Sequence, residues 1–159
     1  MYNLALPFPI GTTVTVIDAG LLGQYFSADS KVYQLVKSSG AITAAAGAKS
    51  FVQFSAAGAE TSIIDAVTGA AETRGAVAGL LDANQTVIAS GDYLFVQRKG
   101  RGIATTSTTG LAAQVAVATH GTAGEIDDLT VTYATAIAYT TESQASAQSD
   151  VEVIVDLPV

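Results

Sequence analysis

The stretch Ser90-Gly91-Asp92-Tyr93-Leu94-Phe95-Val96-Gln97-Arg98-Lys99-Gly100-Arg101-Gly102 decides the fold class. Ser-Gly-Asp is turn chemistry, because glycine accepts positive φ and an Asp side chain can bond its own backbone a little further on. Tyr93 to Gln97 then brings aromatic and branched residues that fit a pleated, half-buried surface. Arg98 to Gly102 carries two glycines among three cations and reads as a closing turn. The segment predicts a strong strand held between two turns.

Similar phrases recur on both sides. Thr13 to Ile17 alternates Thr and Val, Val32 to Val36 reads Val-Tyr-Gln-Leu-Val, and Phe51 to Phe54 is short and aromatic. Gln114 to Thr119, Leu129 to Tyr133 with Ala136 to Tyr139 as its continuation, and Val151 to Leu157 each fit a strand of period two. Short strands separated by turns at intervals of about ten residues predict an all-β, single-domain sandwich or barrel. At most one short helix is expected. Ser62 to Val67 is ambiguous in period, and Ala70 to Leu81 carries Gly75 and Gly79, each costing about 1 kcal/mol inside a helix. Ala44 to Ala48 and Thr105 to Thr109 read as loops.

Residues 1 to 11 read as an extended arm preceding a domain at 12 to 159. Pro7 and Pro9 fix φ and cannot donate to a ladder, while Tyr2, Leu4, Leu6, Phe8 and Ile10 alternate along the segment. Such an arm needs a surface to lie on. It is either an edge strand tucked against its own domain or a tether to another subunit.

The 159 residues are 49% hydrophobic and only 13% charged, with no Cys, no Trp, one His and a net charge of -7. Lack of Cys removes disulfides, thiolate metal sites and cysteine nucleophiles together. The acidic balance argues against nucleic acid, which needs clustered cations to neutralise phosphate. Met1 to Gly11 has no cationic leader and is broken by its prolines, so no secretion signal is read there. Every long apolar run is interrupted, so no membrane span is expected. Low charge favours a protein covered by neighbours over one dissolved as a concentrated monomer.

No segment assembles a catalytic set. His120 lies in Thr119-His120-Gly121-Thr122-Ala123-Gly124, where the glycines suggest an exposed turn, and nothing in the spacing of Ser and Asp supplies partners for it. Gly100-Arg101-Gly102 opens like a dinucleotide fingerprint but lacks the third glycine and the helix, and no phosphate loop occurs. Glu125 with Asp127-Asp128 fits no calcium loop and reads as a solvated turn. No metal and no cofactor are therefore expected. Arg98, Lys99 and Arg101 concentrate three of the seven basic residues in four positions. They form either a solvated hairpin tip or a small cationic loop that docks on an acidic partner or a neighbouring copy.

Four phrases, in order, resemble the capsid decoration (cement, or head-stabilising) proteins of tailed bacteriophages. Lys31-Val-Tyr-Gln-Leu-Val-Lys37 is similar to an early strand of that pattern. Ser90 to Gln97 resembles its small-Gly-Asp-Tyr-aromatic-Val-Gln segment. Leu111 to Gly124 resembles its Ala-Ala-Gly hairpin, and Val153 to Leu157 its closing strand. Glu125 stands where that pattern commonly has Lys, and the arm is not part of it. The resemblance implies a non-enzymatic β module on the exterior of an icosahedral head. There it would bind the major capsid protein and other copies of itself, as a trimer or alternatively a dimer. The contact residues expected on this reading are Tyr2, Leu4, Leu6, Phe8 and Ile10 of the arm together with Arg98, Lys99 and Arg101. The alternative is a ligand- or carbohydrate-binding β-sandwich of a fibre or adhesin, although the absence of Trp leaves few aromatics for a sugar platform.

Overall fold

A computed structural model describes residues 5–42, 49–55, 61–66, 76–85, 87–107, 111–119, 124–128, 136–145 and 149–159. Ten strands are described: β1 (Tyr25–Ala28), β2 (Lys31–Ser38), β3 (Phe51–Phe54), β4 (Ser62–Ala66), β5 (Val77–Leu80), β6 (Tyr93–Thr105), β7 (Ala116–Thr119), β8 (Ile126–Asp128), β9 (Ala138–Thr140) and β10 (Asp150–Asp156). Helical structure among the described residues is one 3-10 turn, Ala19–Leu21. The expected all-β class holds, and the architecture is a barrel with added strands.

The strands are hydrogen-bonded in the order β1-β2-β4-β3-β5-β6-β10-β9-β7-β8, and β2 also pairs with β6. That extra pairing closes β2, β4, β3, β5 and β6 into a five-stranded barrel. The ladder β2–β4 is parallel, with Lys37 opposite Ser62, while β2–β6 is antiparallel, with Leu35 opposite Phe95. The second half of β6 leaves the barrel and pairs with β10, from Lys99 opposite Asp156 to Thr105 opposite Asp150. Beyond β10 come β9, β7 and β8, and Thr106 bridges back to Ile126 in β8.

Three apolar clusters lie between these walls. Leu94 and Val96 of β6 point into the barrel with Val36, Val52, Ile63 and Ala78. Phe95 points the other way, to a cluster with Phe26, Tyr33 and Leu35. Phe51, Val77 and Leu80 face a third cluster with Ala104, Val153 and Val155. The first half of β6 and the β3–β5 pair are therefore buried on both faces. Strands so placed read as continuous apolar runs, not alternations, and this accounts for Tyr-Leu-Phe-Val. By contrast β10 buries only Val151, Val153 and Val155, leaving its alternate positions toward solvent.

Several sequence expectations change. Thr13 to Ile17 is not a strand; only Val14 makes an isolated bridge, to Tyr93. Ser62 to Ala66 is β4 and Val77 to Leu80 is β5, so the described parts of both helix candidates are strands. Gly79 is needed there because a Cβ would lie 2.7 Å from that of Val96. Thr105 ends β6 instead of opening a loop, and Asp127-Asp128 belongs to β8 instead of a turn. The hairpin between β1 and β2 carries no glycine signal in the sequence, because its two central residues, Asp29 and Ser30, take positive φ of 50° and 61° themselves. The segments Ala44 to Ala48 and Leu129 to Tyr133 lie outside the described residues.

Candidate functional site

The arm is placed by a gap in its own domain. β1 extends the edge of β2 in the same sheet and brings Phe26 to the outer face of the β2–β6 pair, and Leu6, Phe8 and Ile10, all half-buried, pack over that face. The Phe8 ring centroid lies 4.7 Å from that of Phe95, and Phe26 meets the same ring edge-on at 5.3 Å. Such ring pairs stabilise beyond the area they bury. The prolines leave the arm without ladder pairing, so side chains hold it, until the Thr12 hydroxyl donates to Pro9 O at 2.6 Å and Val14 and Tyr93 exchange backbone bonds of 3.0 and 2.8 Å. Gly11, at φ 79°, turns the chain between these points. Residues 5–11 thus lie on their own domain, as a cover instead of an edge strand. Tyr2 and Leu4 lie outside the described residues.

The cationic cluster is corrected more sharply. Arg98 to Gly102 is not a turn but the middle of β6, the longest described strand. Val32 faces Lys99 and Tyr33 faces Gln97, leaving Arg98 as the extra residue of a bulge. A bulge bends its strand and re-aims a side chain; here it lies where β6 parts from β2 and where β10 succeeds β5 on the other edge, and it turns Arg98 inward. Arg98 is 4% exposed. Its guanidinium donates to Val77 O at 3.0 Å and to Ala78 O, and to Pro158 O at 3.1 and 2.5 Å. It also lies 5.6 Å from the centre of the Phe54 ring. Arg98 therefore ties β5 to the C-terminal end and is no part of a docking loop.

Lys99 and Arg101 point outward beside carboxylates of β10, with Lys99 Nζ 3.4 Å from Asp156 and Arg101 Nη1 3.0 Å from Glu152. Inside the bend, Gln97 Nε2 donates to Gly100 O at 2.8 Å and Arg101 O at 3.0 Å. Gly100 has φ of 98°, and a Cβ on it would lie 2.9 Å from Ser30 O, so the bend requires glycine there. Of the two glycines in this segment Gly100 takes the positive φ that a turn would want and Gly102 does not, and Gly100 serves the bend of a strand instead of a turn.

Where β6 parts from β5, Lys31, Asp82, Arg101 and Glu152 surround a surface depression of about 160 Å³ floored by Gly102. Its charges balance, two of each sign. Tyr33, 3% exposed, has its phenol pushed up to about 12 by burial and then by the negative charges of Asp82 and Asp29. Among the described residues no three His, Cys, Asp or Glu side chains are grouped to hold a metal, and His120 lies outside them.

One surface feature was missed in the sequence. Tyr139 and Ile154 stand directly opposite one another on the solvent face of β9 and β10, 37% and 43% exposed. The signal was available, since Ile154 breaks the polar half of Val-Glu-Val-Ile-Val-Asp-Leu.

The class defined by these features is an all-β module, a closed barrel with added strands. Its fold is similar to that in the crystal structure of the head fiber gp8.5 N base of bacteriophage phi29, with a TM-score of 0.51 and 14% identity over 78% of this chain and 92% of that chain. At this identity the likeness is one of fold. No protein-family model matches the chain and no curated protein matches it.

Proposed function

We propose that this chain is a non-enzymatic structural protein of a phage virion, a decoration protein that binds the major capsid protein on the exterior of the head. The observation that carries this reading is the fold shared with the base of a phage head fiber. It comes from geometry, whereas the ordered resemblance to decoration proteins comes from short sequence phrases, so the two supports are of different kinds. The physical character of the chain agrees. Two walls buried on both faces make a stiff unit, the -7 charge does not compete for packaged DNA, and modest contacts repeated over a lattice add up by multivalency.

The same fold likeness favours a second reading, the base of a fibre that projects from the head. Antibody raised against the pure protein separates the two on phage particles from the strain that carries the gene. Even labelling over the head surface is expected, label confined to projecting fibres would select the second reading, and unlabelled particles would sink both. Removing residues 1 to 4 alone leaves Leu6, Phe8 and Ile10 on their domain. Reduced head occupancy of that variant would assign Tyr2 and Leu4 to the attachment, and unchanged occupancy would remove them from it.

A further inference from the structure

We propose that the solvent face of β6 and β10 is a contact surface between two copies of this chain, related by a two-fold axis that runs parallel to the strands between them. The inference concerns pure protein and does not depend on the head reading.

The face is set by register. On β6 the outward residues are Lys99, Arg101 and Ile103, and opposite them on β10 stand Asp156, Ile154 and Glu152. Tyr139 of β9 continues the row from Ile154. Each inward neighbour on β10, Val151, Val153 and Val155, is buried in the core beneath. The result is a cationic row, Lys99 and Arg101, on β6 beside a β10 row in which Ile154 interrupts the anions Asp150, Glu152 and Asp156, with Tyr139 on β9 exposed next to Ile154 on the side away from β6.

Charge decides the occupant. A uniformly basic or acidic partner would meet like charge on half of this face. A second copy does not, because a two-fold axis along the strands lays each β6 over the other copy's β10. Lys99 then faces Asp156 of the partner subunit, and the Arg101 stem lies across Ile154 of the partner subunit. The surface is complementary to itself, as an isologous contact requires. Within one copy the Lys99–Asp156 and Arg101–Glu152 pairs are solvent-screened and worth little. Covered by a second copy, the Lys99–Asp156 pairs of the two copies join into one desolvated four-charge network, with Ile154 of each copy under the Arg101 stem of the other.

Sedimentation equilibrium of the full chain across a concentration series, at low salt, tests this. A dimer is expected, with Ile154→Asp raising its dissociation constant about tenfold or more. Lys99→Glu and Asp156→Lys should each weaken association, and mixing the two variants should restore it as a mixed dimer, since every facing pair is again opposite in sign. The mixing result does not depend on whether Ile154→Asp folds. A monomer at every concentration, a trimer, a dimer indifferent to these changes, or a mixture that fails to recover would overturn the proposal. Particle labelling leaves this outcome untouched, so either proposal can fail alone.

Discussion

The two halves of β6 are one strand under two regimes. Tyr93 to Gln97 is covered on both faces, by the barrel interior on one side and by the arm on the other. Lys99 to Thr105 is covered on one face only, with Ala104 buried and Arg101 exposed. Between them Arg98 bulges, β2 ends on one edge opposite Lys99, and on the other edge β10 takes over from β5. The difference teaches that this chain spends its apolar residues where a strand serves as a shared wall, and that its charges line a wall with one open side.

The contrast breaks hardest at Phe95. Its ring is 1% exposed and touches Phe8, Phe26 and Tyr33, so Phe95→Ala removes the centre on which the arm lies. A loss of about 3–5 kcal/mol is expected from denaturant unfolding, together with faster proteolysis near Pro7. If the arm stayed protected, its seat would not depend on Phe95.

Much of this was readable beforehand, and the failures share one cause. Val32 to Val36, Phe51 to Phe54, Tyr93 to Gln97 and Val151 to Leu157 fall within or largely on β2, β3, β6 and β10, because burial period and β propensity are local. Arg98-Lys-Gly-Arg-Gly could not be told from a turn, since a turn and a bulge both want glycine at positive φ. What separates them is β10, some fifty residues later. The arm's alternation fits a tether as well as a cover, and only the open face around Phe95 shows which use residues 5–11 have. Ser62 to Ala66 and Val77 to Leu80 are too short for periodicity to decide between helix and strand.

Arg98, at the junction, comes next. Arg98→Met keeps much of the bulk but leaves the carbonyls of Val77, Ala78 and Pro158 without these donors. A cost of about 2–3 kcal/mol is expected, and Arg98→Lys should recover only part of it because a point charge cannot reproduce the fork. Full recovery by Lys would show that charge alone, not the planar fork, joins the two halves.

A smaller effect distinguishes the doubly covered half by pH. The Tyr33 phenol is raised from 10.0 to about 12 in the folded protein, so the folded state prefers the proton more than the unfolded chain does. Its contribution is fully present below pH 10 and is lost as pH rises from 10 toward about 12. After allowance for solvent screening this amounts to about 1–2 kcal/mol. Tyr33→Phe should flatten the stability profile across that window, measured by unfolding at successive pH values, and an unchanged slope would remove Tyr33 as its source.

The smallest effect belongs on the open face, and its smallness is the informative part. The Arg101 side chain is 70% exposed and its bond to Glu152 is 3.0 Å long. An exposed ion pair of this kind contributes about 0–1 kcal/mol because both charges are nearly as well solvated apart. Arg101→Ala should therefore shift the unfolding midpoint of dilute protein very little, and less still at high salt, where screening has already removed the attraction. A large loss at dilute concentration would mean that the second half of β6 depends on its outward side chains as the first half depends on Phe95. A small loss when dilute that grows with protein concentration would place the same residue under cover only when a second copy arrives, which restores on both halves of β6 the rule that a buried face is a shared wall.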